Sequence, residues 1–111
     1  MARKAKSVEA GSGNVFKDLG FADAEERKLK VQLAMHLNEL LKEQAYTQAQ
    51  VAGVFGVAQP HVSELVNYRL NRFSSERLLH FITLLDRDVG IVIRPKAAKR
   101  RRGTLSVLVA E

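Results

Sequence analysis

The stretch from Thr47 to Asn67, TQAQVAGVFGVAQPHVSELVN, restricts how this chain can fold more than any other. Thr47 caps a helix through its hydroxyl, while Gln50, three residues on, reaches back to the amide of the capping residue. This reciprocal pair marks a helix start. Val51, Val54 and Phe55 then line one face, and the methyl of Ala52 falls where two short helices cross closely. Gly56 ends the helix, because a residue without a β-carbon takes the left-handed conformation that turns the chain sharply. A second helix begins near Ala58 or Gln59, with Pro60 in its first turn, where a missing amide hydrogen costs nothing. From Val62, Leu65 and Val66 follow at offsets of three and four, so these residues face inward. Gln59, Pro60, His61, Ser63, Glu64 and Asn67 remain outside, a polar face able to donate to or accept from base edges. Any surface helix is polar outside, so this face alone does not separate a DNA reader from a generic helix pair.

The rest of the chain reads as one small domain with tails: 1–14 a disordered basic tail, 15–95 the helical domain, 96–111 a basic linker and terminal strand. A chain of 111 residues supports a modest core that needs good helix packing or a partner subunit. The absence of cysteine excludes disulfides, thiolate zinc sites and cysteine nucleophiles. No apolar run approaches a membrane span, and the basic N-terminus lacks the apolar stretch of a signal peptide, which leads us to expect a cytoplasmic protein with no membrane partner. The formal charge of +6 is unevenly placed. Residues 23 to 90 carry eight Lys or Arg against nine Asp or Glu, and the excess lies at the ends: Arg3, Lys4 and Lys6, then Arg94, Lys96, Lys99, Arg100, Arg101 and Arg102. Basic tails attract phosphate backbones without reading sequence, although they also serve solubility.

In chain order, Val15, Phe16, Leu19 and Phe21 form a short apolar patch expected to pack on the helices. Asp23 and Glu26 then open a long helix with negative charge at the positive end of its dipole. Leu29, Leu33, Leu37, Leu40 and Leu41, with Ala34, form its apolar stripe, and the helix should end near Gln44. His36 and Met35, on or beside the stripe, read as packing or boundary residues and not as ligands. After the second short helix, Tyr68 to Phe73 is a loop rich in groups that bond phosphate. Ser74 or Ser75 caps a further helix to about Asp86, burying Leu78, Leu79, Ile82 and Leu85. Glu76 and His80 share a face, but nothing completes a metal motif, and no cofactor is expected. Val89 to Arg94 and Thr104 to Ala110 read as strands. A lone hairpin is marginal in water, so we expect a homodimer joined through Val89, Ile91, Val92 and Ile93.

Gln48, Ala52, Gly56, Val62 and Leu65 together resemble the helix-turn-helix of the phage-repressor-like (Xre) transcription factors. Across roughly residues 13 to 96, the order of elements is similar to that of the Xre-type proteins allied to the HigA antitoxins: GNVFKDLG, a long helix with an acidic start, TQAQ, QPHVSEL, FSSERL, then VGIVI. The resemblance implies a mainly α fold and a small dimeric repressor of its own operon, often encoded beside a ribonuclease toxin of the RelE and HigB type. It further implies a recognition helix entering the major groove N-terminus first. Gln59 and His61 would then meet base edges, with Ser63 and Glu64 one turn on. Thr47 and Gln48 would reach a phosphate from the start of the preceding helix, and in similar domains the loop after the recognition helix lies along the DNA backbone, which would make Asn67, Arg69 and Arg72 phosphate contacts. The alternatives are a module that mainly sequesters such a toxin, or a repressor with no toxin. An enzyme has little support, because the histidines are dispersed and no paired carboxylates sit at catalytic spacing. RNA binding is weaker too, for want of an aromatic stacking platform.

Overall fold

The long leucine stripe behaves as amphipathic periodicity requires. In the computed structural model, which describes residues 23–110, helix α1 (Asp23–Glu43) buries Leu29, Leu33, Ala34, Leu37, Leu40 and Leu41 along one side. Three shorter helices follow, α2 (Gln48–Phe55), α3 (Gln59–Val66) and α4 (Ser75–Leu84). α1 packs chiefly on α4, and α2 packs on α3. None of these helices is long and apolar enough to cross a membrane. The stretch 1–22, with the basic tail 1–14 and the patch Val15, Phe16, Leu19 and Phe21, lies outside the described residues.

α1 stops because Ala45 takes a left-handed conformation, φ 56°, which lets the Tyr46 amide donate to the Leu41 carbonyl at 3.3 Å. That bond supplies a partner for one carbonyl orphaned at the helix end, and it tucks half-buried Tyr46 onto the core. The helix ends at Glu43, one residue before the expected Gln44.

The centre of the core is aromatic. Phe55 of α2 and Phe81 of α4 stack with centroids 4.2 Å apart, and Phe73 meets Phe81 edge-on at 5.9 Å. Such pairs add about 0.5–1.5 kcal/mol each beyond area burial. The Arg77 guanidinium lies 5.5 Å from the Phe73 centroid and 5.4 Å from that of Phe81, covering the cluster with charge that stays exposed. α4 starts as expected, with the Ser74 hydroxyl accepting from the Arg77 amide at 3.1 Å. It ends at Leu84, before the expected Asp86.

Three expectations need correction. Val54 is exposed, not inward: Val51 and Phe55, four apart, take up the whole narrow face that an eight-residue helix presents to its neighbours. On α4 the buried stripe is Leu78, Phe81, Ile82 and Leu85, while Leu79 is only half-buried. Its offsets of three, four and seven match one helical face, which Leu79 misses by a position. The largest correction concerns the C-terminal strands. Among the described residues there is no strand, and neither Val89 to Arg94 nor Thr104 to Ala110 has a ladder partner. β-branched composition favours a strand only where a neighbour supplies the ladder. The returning segment bonds to a helix instead: the Val107 amide donates to Gln32 Oε1 of α1 at 3.1 Å, and Leu105 and Val107 pack on the core.

Candidate nucleic-acid interface

The turn between α2 and α3 has the predicted chemistry. The Thr47 hydroxyl accepts from the Gln50 amide at 3.2 Å, and the Thr47 amide donates to Gln50 Oε1 at 2.8 Å, so both halves of the capping box are made. At the far end Gly56 is left-handed, φ 70° and ψ 34°, and the Val57 amide returns to the Ala52 carbonyl at 3.1 Å. Half-buried Ala52 thus lies at the crossing, where its carbonyl accepts from both Gly56 and Val57. This tight reversal sets the direction in which α3 leaves α2.

α3 is anchored by one side only. Val62 and Leu65 are buried and Val66 is half-buried. Gln59 and Pro60 are exposed, while His61, Ser63 and Glu64 are half-buried at the flanks. Ala58 offers no side-chain cap to the helix start, and Pro60 occupies the first turn. The other end is closed with care. Asn67 caps it, Tyr68 is left-handed at φ 62°, and the Arg69 amide donates to the Glu64 carbonyl at 2.8 Å. Asn67 Nδ2 donates to the Ser63 carbonyl at 2.8 Å, and from α1 Asn38 Nδ2 donates to the Val66 carbonyl at 3.5 Å. The helix is therefore held at its C-terminus and open at its N-terminus.

The expected site residues fall into three groups. Gln59, His61, Ser63, Asn67 and Arg69 lie on or beside the open side of α3, with Thr47 and Gln48 exposed at the start of α2. Glu64 and Arg72 form a second group, because they hold each other. Arg72 Nε donates to Glu64 Oε1 at 2.8 Å, and its Nη2 donates to Oε2 at 3.3 Å. This forked bond, aided by the nearby positive charges of Arg72 and Arg69, outweighs desolvation and holds the Glu64 carboxyl below its ordinary range. The same bond raises the Arg72 guanidinium. Sequence reading treated these two as separate contacts, one to a base and one to phosphate, whereas here each already satisfies the other. Their eight-residue separation across a loop offers no short-range signal for the pairing.

Val89, Ile91, Val92 and Ile93 form the third group, outside the helical segments. Ile91, Val92 and Ile93 are 79%, 80% and 91% exposed, high values for three consecutive β-branched residues. Two residues that the sequence did not single out support the loop and the tail. Lys30 Nζ donates to the Leu70 carbonyl at 3.4 Å, and Gln32 receives the Val107 amide.

Comparison with known proteins agrees with this geometry. Residues 15–94 match the family described as a helix-turn-helix domain. A solved structure named as an XRE family transcriptional regulator is 45% identical, superposes with a TM-score of 0.76, and is covered over its full length by 80% of this chain. No curated protein matches. The chain accordingly belongs to the helix-turn-helix family of XRE type.

Proposed function

We propose that the chain is a sequence-specific DNA-binding repressor. The observation that carries this reading is the asymmetry of α3: one side fixed by Val62, Leu65 and a closed C-terminal end, the other presenting exposed Gln59 and half-buried His61 and Ser63. A helix so mounted can enter the major groove, where its first residues meet base edges. Gln59 suits adenine, offering an acceptor and a donor together. Glu64, oriented by Arg72, accepts from the exocyclic amine of cytosine. Thr47, Gln48, Asn67 and Arg69 contact phosphate on either side and set the register, and Arg72 approaches the backbone with its charge already partly used.

Two copies make the functional unit. The exposed run at Val89 and Ile91 to Ile93 pairs with the same run of a second chain, which would cover the apolar surface and supply the missing ladder. Such a dimer reads an inverted repeat with half-sites about 34–36 Å apart. The likeness of residues 13 to 96 to HigA-type antitoxins extends the reading to autoregulation of an operon that also encodes a RelE- or HigB-like toxin.

Selection of bound duplexes from a random library tests the core of this reading. A preferred inverted repeat should emerge, and Gln59→Ala should relax preference at one base pair by about 1–3 kcal/mol, whereas Arg69→Ala should weaken all duplexes alike. Equal losses on selected and random DNA for the Gln59 change would refute its assignment. A monomer in light scattering at micromolar concentration would refute the dimer, and failure to co-purify with the product of an adjacent gene would remove the toxin partner.

A further inference from the structure

The C-terminal arm carries a cluster of charge that the helices do not use. Arg94, Lys96, Lys99, Arg100, Arg101 and Arg102 fall within nine residues, and no Asp or Glu lies between Val89 and Ala110. All six are exposed, and among the described residues none is paired with a carboxylate. The segment is nevertheless organised. The Arg100 amide donates to the Ala97 carbonyl at 3.1 Å, and Arg100 Nη1 donates to Thr104 Oγ1 at 2.9 Å, which folds the run into a turn. Beyond the turn, Leu105 and Val107 pack on the core, and the Val107 amide is fixed to Gln32. Holding like charges together in a turn is unfavourable unless a polyanion neutralises them.

The arm and the loop that follows α3 are both tied to α1. Lys30 of α1 bonds the loop that follows α3, through the Leu70 carbonyl, and Gln32 bonds the arm. Two residues advance a helix by only about 3 Å along its axis while turning about 200° around it. Loop and arm therefore grip α1 at about the same height, on different sides of a helix about 10–12 Å thick. Five residues separate Arg102 from Val107, so the turn stays within about 18 Å of the point where the arm is fixed to α1.

We propose that the turn at residues 96–102 is a second DNA contact, sequence-independent, which grips backbone phosphates flanking the half-site read by α3. This rests on the DNA-binding reading above but makes a separate claim about where the duplex is held. Neutralising a phosphate releases counterions, so each cation that engages adds about 0.9 to the slope of log affinity against log salt.

The test uses the full chain with Lys99→Ser, Arg101→Ser and Arg102→Ser combined, leaving Arg100 and its bond to Thr104 in place. Binding to the selected duplex and to an unselected one, across a range of salt, should show a slope smaller by about 2–3 on both, with the preference between them kept. A slope within about 0.5 of the unchanged protein overturns the proposal. The second measurement exploits the lack of native cysteine: Gly103→Cys carries an iron chelate that cleaves nearby backbone. A β-carbon at Gly103 meets nothing within 4 Å, so the label should not disturb the turn. Cuts at discrete positions flanking the half-site support the proposal, while scattered or absent cuts overturn it, as would binding by the turn to RNA or acidic protein alone. If no preferred duplex emerges but the slope still falls, the reading of α3 fails and the turn stands as a general polyanion grip.

Discussion

Exchanging glycine and alanine at two helix ends tests whether backbone conformation, and not side-chain contact, makes the turns of this fold. Gly56 is left-handed at φ 70°, and a β-carbon there meets nothing within 4 Å. Gly56→Ala should therefore carry no steric penalty from its neighbours. The penalty is conformational: a left-handed L-residue costs about 1–2 kcal/mol. Against this, alanine has fewer unfolded conformations to lose, which returns about 0.4–1 kcal/mol. The net loss is roughly 1 kcal/mol. Ala45 is left-handed at φ 56° and exposed, so Ala45→Gly inverts the same arithmetic and should stabilise by up to about 1 kcal/mol. For a domain of this size each kcal/mol moves the melting temperature by about 4–8 °C. Paired thermal and urea denaturation should show shifts of opposite sign and similar size. If Gly56→Ala is neutral, or if Ala45→Gly destabilises, the conformational account of both turns is wrong.

Three further perturbations probe the core and the reading face. Phe81→Ala should cost about 3–5 kcal/mol in denaturant unfolding, because Phe81 is buried and meets both Phe55 and Phe73. Ser75→Ala should be neutral or stabilising in the same assay, since among the described residues the buried Ser75 hydroxyl has no hydrogen-bond partner to lose. Glu64→Gln should lower stability only where the carboxylate is ionised. The folded carboxyl sits below its ordinary range, so the Arg72 bond contributes above that range and is lost as pH falls through the lowered value. The gap in melting temperature between the two proteins should close on acidification, and it should be small throughout, because solvent reaches both partners. A gap that widens in acid would contradict the pairing.

Much of the helical domain was legible because its signals are local. The leucine stripe of α1, the Thr47 and Gln50 box, the turn at Gly56 and the Ser74 cap each depend on residues within one or two turns of one another. Periodicity reads such features directly. The misses share a different cause. Val54 and Leu79 were misplaced because a short helix offers a narrow face, and which apolar residue fills it depends on the neighbour. Ala45 and Tyr68 take left-handed conformations at the ends of their helices although neither is a glycine or asparagine, the residues that adopt it most readily.

The functional face divides in the same way. The identities on the open side of α3 follow from spacing alone, since Val62 and Leu65 must turn inward and the polar residues between them must not. The Glu64 and Arg72 pair does not follow, because it joins a helix to a loop eight residues away and depends on the path of the chain through Tyr68. The C-terminal arm shows the limit most clearly. Its β-branched residues satisfy strand propensity, yet a strand exists only with a ladder partner, and within one chain Val107 finds Gln32 instead. The sequence by itself determined where the helices start, where Gly56 turns the chain and which sides of α1 and α3 face inward, because those choices are made by bonds and periodicity among near neighbours. Only the tertiary structure decided which charges pair and where the arm docks, because those choices join groups whose separation in sequence says nothing about their separation in space.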